Sequence, residues 1–276
     1  MNQFPADDGE KIRVHVSGNG APLVMLHGWT ADHREWSSFL DALKPRRTIY
    51  AWDARGHGGH RLATTTVPSV ARMARDLHNL IEHYGLDAVT VVGHSMGALT
   101  LWQYIRDFGT RRLAGVCIID QSPKLVTDDG WPHGIYGDFG ADKAAALLGM
   151  LWDDFAEGVL QMTAFGLNLR ARQKYLENTV GWQRARAGLQ ALDPVPLIAC
   201  WESLTAADYR DVLGSIDVPA LLVYGAESNF YRTETAHYVA SRIPASTLHI
   251  YAGADHSPHL AQRDRFVADL LEFCGG

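Results

Sequence analysis

The sequence has little of what marks secreted, membrane-bound or metal-binding proteins. Only three of its 276 residues are cysteines. Cys117, Cys200 and Cys274 lie far apart, so they predict neither a disulfide framework nor a metal site, and they suit the reducing cytoplasm. No apolar run approaches the roughly 18 to 20 residues that a membrane span requires. Residues 1–8 lack the basic and apolar regions of a signal peptide. We therefore expect a cytoplasmic protein without a membrane partner.

Positive charge is also scarce. The chain has 25 lysines and arginines against 31 aspartates and glutamates, a net charge of −6, and it shows no basic stripe. Nucleic acid is therefore not expected as a partner. The sequence has no glycine-rich phosphate loop and no cluster of histidines and cysteines, so we expect chemistry without a cofactor or a metal. Its length allows one large α/β domain with an insertion, or two small domains. The oligomeric state stays open.

The chain is organised around residues 89–100, where a β-branched run ends in Gly-x-Ser-x-Gly and a helical pattern begins at once. Gly93 and Gly97 flank Ser95, and their lack of a Cβ lets a strand and a helix pass closely at a sharp turn. Such a turn lifts a serine hydroxyl clear of the backbone. It also places the N–H of Met96 at a helix N-terminus, where free donors and the helix dipole favour negative charge. We therefore predict that Ser95 is a nucleophile.

Apolar runs typical of buried strands alternate with helical patterns on both sides of this turn. The predicted strands are 11–16 at the sheet edge, then 22–26, 48–52, 89–92, 113–119, 218–224 and 246–251. The predicted core helices are 36–43, 67–84, one from residue 96, 234–242 and 258–273. Residues 121–214 hold no convincing strand and four predicted helices, 141–150, 151–165, 171–192 and 196–204. This organisation predicts an α/β core of residues 1–120 and 215–276, interrupted by a helical cap of residues 121–214.

Four motifs in this frame resemble those of the α/β-hydrolase fold superfamily. They are His-Gly-Trp at 27–29, Asp-Ala-Arg-Gly-His-Gly at 53–58, Gly-His-Ser-Met-Gly at 93–97 and Gly-Ala-Asp-His at 253–256. Together they are typical of the capped esterase, haloperoxidase-like and C–C hydrolase branches. The resemblance implies a mostly parallel, eight-stranded sheet flanked by helices, with a helical cap inserted after the strand that follows the nucleophile helix. The predicted insertion begins at that point.

His256 is the candidate general base, because a serine hydroxyl is a weak nucleophile until a base takes its proton. It follows the last predicted strand, and its place after Ser95 fits the chain order serine, acid, histidine. His259 is the main rival, since it lies three residues further along the same predicted helical face. His94 is expected to point away from the hydroxyl and to pack, and the resemblance implies a structural role for His57.

The acid is the point at which this sequence departs from the family. The family usually places an aspartate shortly after the strand that here ends at Tyr224, but this chain has Ser228 at that position. Glu227 stands one place early and would face elsewhere. Some branches use the end of the strand that follows the nucleophile strand, and here that strand ends in Asp120. We expect Asp120 to orient the imidazole, with Glu227 as the alternative acid. A role of Asp120 in capping the following turn stays open.

An oxyanion hole needs two N–H donors aimed at the oxygen that becomes negative. Met96 is expected to supply one and Trp29 the other, because the family draws its second donor from this loop. The Trp29 side chain would either wall a pocket for the acyl group or pack in the core. We also expect Tyr136, Trp152 and Phe165 to bind substrate, although such residues often only pack a cap onto a core. Further aromatic candidates are Trp131 and Trp182 for the wall of the pocket, and Phe230 and Tyr231 for its mouth.

These residues predict a carboxylesterase-like serine hydrolase that cleaves an ester or lactone of an apolar small molecule through an acyl-enzyme. The same site would also suit perhydrolysis, as in a cofactor-free haloperoxidase, or C–C bond hydrolysis. Ser95 disfavours a haloalkane dehalogenase or an epoxide hydrolase, which have an aspartate at this turn. A ligand-binding receptor on the same scaffold is disfavoured by the serine and histidine pair. The sequence leaves the substrate and its chain length open.

Overall fold

The computed structural model describes residues 1–275 and contains one sheet of eight strands. The strands are β1 (Asn2–Pro5), β2 (Lys11–Gly18), β3 (Ala21–Leu26), β4 (Arg47–Asp53), β5 (Val89–His94), β6 (Leu113–Ile119), β7 (Ala220–Gly225) and β8 (Ser246–Tyr251). Their spatial order is β1-β2-β4-β3-β5-β6-β7-β8. β1 and β2 pair antiparallel to their neighbours, and the other six strands are parallel to one another. The prediction of a mostly parallel, eight-stranded sheet is therefore confirmed.

Helices cover both faces of this sheet. Those of the core are α1 (Leu40–Leu43), α2 (Val70–His83), α3 (Met96–Phe108), α9 (Thr233–Arg242), α10 (Pro258–Ala261) and α11 (Arg263–Phe273). Those between β6 and β7 are α4 (Ala141–Asp153), α5 (Phe155–Ala164), α6 (Leu169–Leu176), α7 (Val180–Gln190) and α8 (Pro194–Ala206). None of the helices within residues 1–275 is long and apolar enough to cross a membrane.

Strand β3 shows why the central strands are apolar along their whole length. Val24 and Leu26 belong to the apolar cluster under α2 and α3, whereas Leu23 and Met25 belong to the cluster under α1 and α11. All four side chains are fully buried. Successive side chains of a strand point to opposite faces, so a strand that is covered on both faces needs apolar residues at every position.

The amino-terminal residues extend the sheet beyond the predicted edge. β1 pairs with β2, with Asn2 opposite Val14, so the strand predicted at 11–16 is not at the edge. Phe4 anchors β1, because its side chain is fully buried in the apolar cluster. The strand is only four residues long and ends in a proline, which an edge strand tolerates. Such a short segment carries too little periodicity to be recognised from sequence.

Two predicted helices are each interrupted in the structure. The helix predicted at 171–192 is two helices, α6 and α7, separated at Asn178, whose φ of 47° lies in the left-handed region. Asparagine adopts that region more readily than most residues, so it ends a helix where periodicity alone continues one. The helix predicted at 258–273 is likewise divided at Gln262 into α10 and α11.

The connections at the carboxyl ends of the parallel strands bring the sequence motifs together. His27 follows β3, Ser95 follows β5, Asp120 follows β6 and His256 follows β8. Since the carboxyl ends of parallel strands meet at one edge of a sheet, segments that are far apart in sequence become neighbours there. The five helices α4 to α8 enter the chain directly after this edge, between β6 and β7.

Candidate active site

Ser95 occupies a turn that requires glycine on both sides. A Cβ on Gly93 would lie 2.6 Å from the carbonyl oxygen of Gly97, and one on Gly97 would lie 2.3 Å from the carbonyl oxygen of Leu26. Both distances are too short for carbon and oxygen that are not bonded. Ser95 itself has φ 51° and ψ −115°, and its N–H donates to the carbonyl of Ile119 at 3.1 Å. The turn thus holds one side chain in a strained conformation between β5 and α3, as functional sites often do.

His256 is held by Asp120. Its Nδ1 lies 2.6 Å from Oδ2 of Asp120, shorter than the usual hydrogen-bond limit of about 3.2 Å. The carboxylate accepts a hydrogen bond from the Nδ1–H, so the neutral imidazole has its lone pair on Nε2. His256 and Ser95 line the same cavity, and the His256 side chain is only 15% exposed. The predicted base and its predicted orienting acid are thus in contact, and the base lines the same cavity as the predicted nucleophile.

Asp120 is positioned by three hydrogen bonds. Besides His256, it accepts from the N–H of Gly225 at 3.0 Å and from the hydroxyl of Ser228 at 2.6 Å. Its side chain is fully buried, and its φ of 44° shows that the chain turns sharply at the end of β6. Ser228, which stands where the family usually has its aspartate, therefore supports a carboxylate supplied by the neighbouring strand. This hydrogen-bonding role of Ser228 was not anticipated from the sequence.

Glu227, the alternative acid, is directed away from the imidazole. Its side chain is 39% exposed, and its carboxylate lies 3.4 Å from Arg170 on the surface. Within residues 1–275, it makes no hydrogen bond to His256. The geometry favours Asp120 over Glu227, and the catalytic role of either remains a prediction.

Burial sets the protonation of His256. Removal of the ring from water lowers its pKa, and the hydrogen bond and charge of Asp120 raise the pKa again without restoring it fully. The ring of Phe230 stands edge-on at 4.5 Å and contributes to this burial. A histidine with a lowered pKa is neutral at pH 7, the state in which it can accept a proton from a hydroxyl.

The rival histidines have other partners. His259 is fully buried, packs 5.2 Å from Trp36 between ring centroids, and has its pKa lowered to about 4 by burial. His57 Nδ1 bonds to the carbonyl of Arg55 at 3.0 Å, and burial lowers its pKa to about 3. His94 Nε2 lies 3.0 Å from the carbonyl oxygen of His256. None of the three bonds to a carboxylate at the end of β6.

The two predicted oxyanion donors belong to residues that lie next to Ser95. Gly28, Trp29 and Met96 line the cavity together with Ser95. A Cβ on Gly28 would lie only 3.6 Å from the Cβ of Ser95, which shows how closely the two loops approach. Among residues 1–275, no backbone or side-chain acceptor takes the N–H of Trp29 or of Met96. Both N–H groups are therefore without a protein acceptor in the described residues, and their role as oxyanion donors stays a prediction.

The cavity has a volume of about 510 Å³ and a largely apolar wall. The Trp29 side chain lines it and also packs 4.7 Å from Trp201 and 5.7 Å from Phe155, so it both walls the pocket and packs against its neighbours. Its Nε1 donates to the carbonyl of Leu197 at 2.9 Å, which fixes the ring against the inserted helices. The insertion and its flanks contribute further lining residues, Leu125, Ile135, Val159, Met162, Thr163, Trp201 and Leu204.

The structure does not place Tyr136, Trp152 or Phe165 on the wall of this cavity. Trp152 is 55% and Phe165 is 45% exposed. Tyr136 instead donates its hydroxyl proton to the carbonyl of Met162 and packs behind the wall. These three side chains are therefore not part of this cavity wall, and the expectation that they bind substrate stays a prediction. Helical periodicity shows that aromatic residues share a face, but it does not show what that face contacts.

The other aromatic residues divide between the cavity and its surroundings. Phe230 and Tyr231 line the cavity. Trp131 is buried against Tyr238, at 4.9 Å between ring centroids. Trp182 lines a second cavity of about 770 Å³ between the inserted helices and the loop at Thr30.

Two groups of side chains within residues 1–275 have the residue types that bind metal ions, Glu35 with His94 and His259, and Asp32 with His33 and Asp53. In both groups, the side chains already contact one another. Asp53 Oδ1 lies 2.7 Å from His33 Nδ1, and Glu35 Oε1 lies 3.1 Å from His259 Nε2. Glu35 also lines the cavity, although no motif in the sequence singles it out.

Comparison with known proteins shows which chains this one is similar to. Residues 21–261 match the alpha/beta hydrolase fold family. The chain is 30% identical to the non-heme chloroperoxidase CPO-A1 of Kitasatospora aureofaciens, with 96% of each chain covered. It is 28% identical to the pimeloyl-[acyl-carrier protein] methyl ester esterase of Chromobacterium violaceum, with 94% of this chain and 96% of that protein covered. An esterase from Exiguobacterium antarcticum has the same fold, with a TM-score of 0.85, 24% identity, and coverage of 100% of this chain and 99% of that one.

Proposed function

Because the chain belongs to the alpha/beta hydrolase fold family, we propose that it is a serine hydrolase that cleaves a carboxylic ester or lactone of an apolar small molecule. The observation that carries this proposal is the contact of 2.6 Å between Asp120 and His256 beside the turn of Ser95. The largely apolar cavity around this turn suits a substrate with an apolar acyl or alcohol part.

In the first half of the proposed reaction, His256 Nε2 accepts the proton of the Ser95 hydroxyl as its oxygen attacks the substrate carbonyl. The carbonyl oxygen becomes negative and accepts hydrogen bonds from the N–H groups of Trp29 and Met96. Asp120 stabilises the imidazolium that forms. The C–O bond to the alcohol then breaks, and His256 gives its proton to the leaving oxygen, which yields an acyl-enzyme and the free alcohol.

In the second half, water attacks the acyl carbon while His256 Nε2 accepts one of its protons. The tetrahedral oxyanion again binds the two N–H donors, and its collapse breaks the bond to Ser95 Oγ. His256 returns the proton to that oxygen, and the carboxylic acid leaves. Every step uses groups of this chain, the substrate and water.

We also propose that residues 121–214 act as a cap that selects the substrate, over a core of residues 1–120 and 215–276. Five helices of this segment enter the chain at the edge of the sheet where the candidate catalytic residues lie. Val159, Met162 and Leu204 bring apolar side chains from it to the cavity wall. A cap that forms one wall of the site can change specificity without changing the residues that perform the chemistry.

Perhydrolysis is a second candidate, because the chain is 30% identical to a protein named as a chloroperoxidase. A carboxylic acid would form the same acyl-enzyme at Ser95 with loss of water. Hydrogen peroxide would then attack the acyl carbon in place of water, release a peracid and restore the serine. The peracid would oxidise halide outside the site.

A panel of p-nitrophenyl esters of increasing acyl length tests the main proposal, with Ser95→Ala as the control. We expect turnover by the wild type, none by the variant, and covalent labelling of Ser95 by a phosphonate. Absence of both turnover and labelling would contradict the proposal. Halide oxidation that requires peroxide and a carboxylic acid, in a protein that does not hydrolyse esters, would favour the second candidate.

A further inference from the structure

The carboxylate of Glu35 lies where three parts of the candidate site meet. Its Oε2 accepts the N–H of Gly28 at 3.0 Å. Its Oε1 lies 2.9 Å from Nδ1 of His94 and 3.1 Å from Nε2 of His259. The side chain is only 6% exposed, and the residue lies on a short 3-10 turn, His33–Trp36, that follows the oxyanion loop.

Two of these contacts, with Gly28 and with His94, lead directly to residues with a proposed catalytic role. Gly28 precedes Trp29, the proposed second oxyanion donor. His94 precedes Ser95, and its Nε2 lies 3.0 Å from the carbonyl oxygen of His256. One buried carboxylate and one imidazole thus connect the oxyanion loop, the nucleophile turn and the histidine loop.

We propose that Glu35 is a positioning residue, whose carboxylate sets the distance between the oxyanion loop and the nucleophile turn. The inference rests on the proposed function of Ser95 and His256. Glu35 acts through Gly28 and His94, since both of its oxygens are already engaged by groups of the protein.

The charge of Glu35 is part of the argument. Burial alone would raise the pKa of the Glu35 carboxyl. His94 and His259 together outweigh burial and hold that pKa well below the ordinary value for a glutamate. Burial alone would lower the pKa of His94, but Glu35, together with the His256 carbonyl and the charge of Asp120, outweighs burial and raises that pKa. Both nitrogens of His94 face acceptors, the Glu35 carboxylate and the His256 carbonyl, which a doubly protonated ring satisfies best. The Nδ1–H is not well aligned with Glu35, so this contact is an ion pair rather than a hydrogen bond.

The oxyanion loop and the nucleophile turn, which Glu35 links, must be held at an accurate distance from each other. The oxyanion donors act only over short distances. A displacement of about 1 Å between catalytic groups costs roughly 100-fold in rate. Loss of the carboxylate should therefore reduce the rate of the chemical step while leaving the apolar cavity, and hence ground-state binding, largely unchanged. A residue with a merely structural role would lower thermal stability without this separation of kcat from KM.

Glu35→Gln and Glu35→Ala test the inference, with Glu272→Gln, at an exposed position on α11, as the matched control on the surface. We expect kcat on a p-nitrophenyl ester to fall by about 10- to 100-fold in Glu35→Gln, with KM changed less than about threefold. Glutamine keeps an oxygen for the Gly28 N–H but loses the charge, so it should retain more activity than alanine. Phenylboronic acid, which forms a tetrahedral adduct with a serine hydroxyl, should bind more weakly by about the same factor as kcat falls.

A folded Glu35→Gln protein with wild-type kcat and wild-type affinity for phenylboronic acid would overturn the inference. If the Glu35 variants do not fold, His94→Gln removes the same ion pair, and unchanged kcat in that variant would overturn it equally. A wild type that neither hydrolyses esters nor reacts with a phosphonate would instead contradict the proposed function. Active wild type with unaffected variants refutes only the role of Glu35.

Discussion

Replacement of Asp120 by asparagine tests the point at which this chain departs from its relatives. Asp120 accepts three hydrogen bonds, from His256, Gly225 and Ser228, at 2.6, 3.0 and 2.6 Å. An asparagine side chain has one acceptor oxygen and one NH₂ group in place of the two carboxylate oxygens. Its oxygen can stay opposite the Gly225 N–H, and the NH₂ group then faces Nδ1 of His256.

The consequence for the imidazole is a change of tautomer. An NH₂ group opposite Nδ1 requires a lone pair there, so the proton moves to Nε2, which can no longer accept the proton of Ser95. The same change in a serine protease reduces kcat by about 10⁴. We expect a loss of about 10³ to 10⁴ here, because water reaches the partly exposed His256 and compensates in part.

The pH profile gives a second, independent measure. The pKa of His256 is lowered by burial and partly raised again by Asp120, so the acid limb of kcat/KM lies below the ordinary histidine value of about 6.5. Activity rises as pH increases through this limb, because the ring becomes neutral. Asp120→Asn removes the group that raises the pKa, so the limb should move to still lower pH in the residual activity.

Steady-state kinetics on one p-nitrophenyl ester, with circular dichroism to confirm folding, measures both effects. Glu227→Gln is the matched control, since its carboxylate lies on the surface near Arg170, and it should change kcat by less than about twofold. Ser228→Ala removes one hydrogen bond to Asp120 and should cost roughly tenfold, the equivalent of about 1.4 kcal/mol. A severe loss in Glu227→Gln with a mild loss in Asp120→Asn would reverse the assignment of the acid.

Three further predictions concern the nucleophile, the cavity and acid stability. Ser95→Ala should reduce kcat by about 10⁴ to 10⁶ with little change in thermal stability; more than a few per cent of activity in esterase-free protein would refute the mechanism. Val159→Trp narrows the cavity and should lower kcat/KM for long acyl esters more than for acetates. Trp152 is exposed, so Trp152→Ala should change kcat/KM for neither class of ester. Equal effects of Val159→Trp on both classes would contradict this prediction. Burial gives His57 a pKa of about 3 in the folded state, below the value of about 6.5 in the unfolded state. The unfolded chain therefore binds the proton first as pH falls below 6.5, and the free energy of unfolding should drop by about 3 kcal/mol at pH 4. His57→Gln should weaken this decline in urea unfolding, the exposed His83→Gln should not, and equal slopes in both variants would contradict the assignment.

The sequence alone determined the local features of this protein. The glycines around Ser95 are required by contacts that any Cβ would violate, so the turn is readable from the motif. Apolar runs identified the central strands, because burial on both faces of a sheet leaves no place for polar alternation. The break between β6 and β7 was visible as a loss of strand pattern. The patterns that reveal these properties lie within a few consecutive residues, although the carbonyl that excludes a Cβ at Gly97 belongs to Leu26 on β3.

Only the tertiary structure decided which distant groups meet. Asp120 could be named as a candidate acid, but its contacts with His256 and Ser228 depend on how three strand ends and their loops are arranged. The positions of Trp152 and Phe165 outside the cavity wall could not be derived from sequence for the same reason, since helical periodicity does not specify the surface against which a helix packs. Glu35 had no motif at all, and its importance follows from contacts 7, 59 and 224 residues away along the chain. Such contacts form because folding brings loops at one edge of the sheet together, and no local pattern records that.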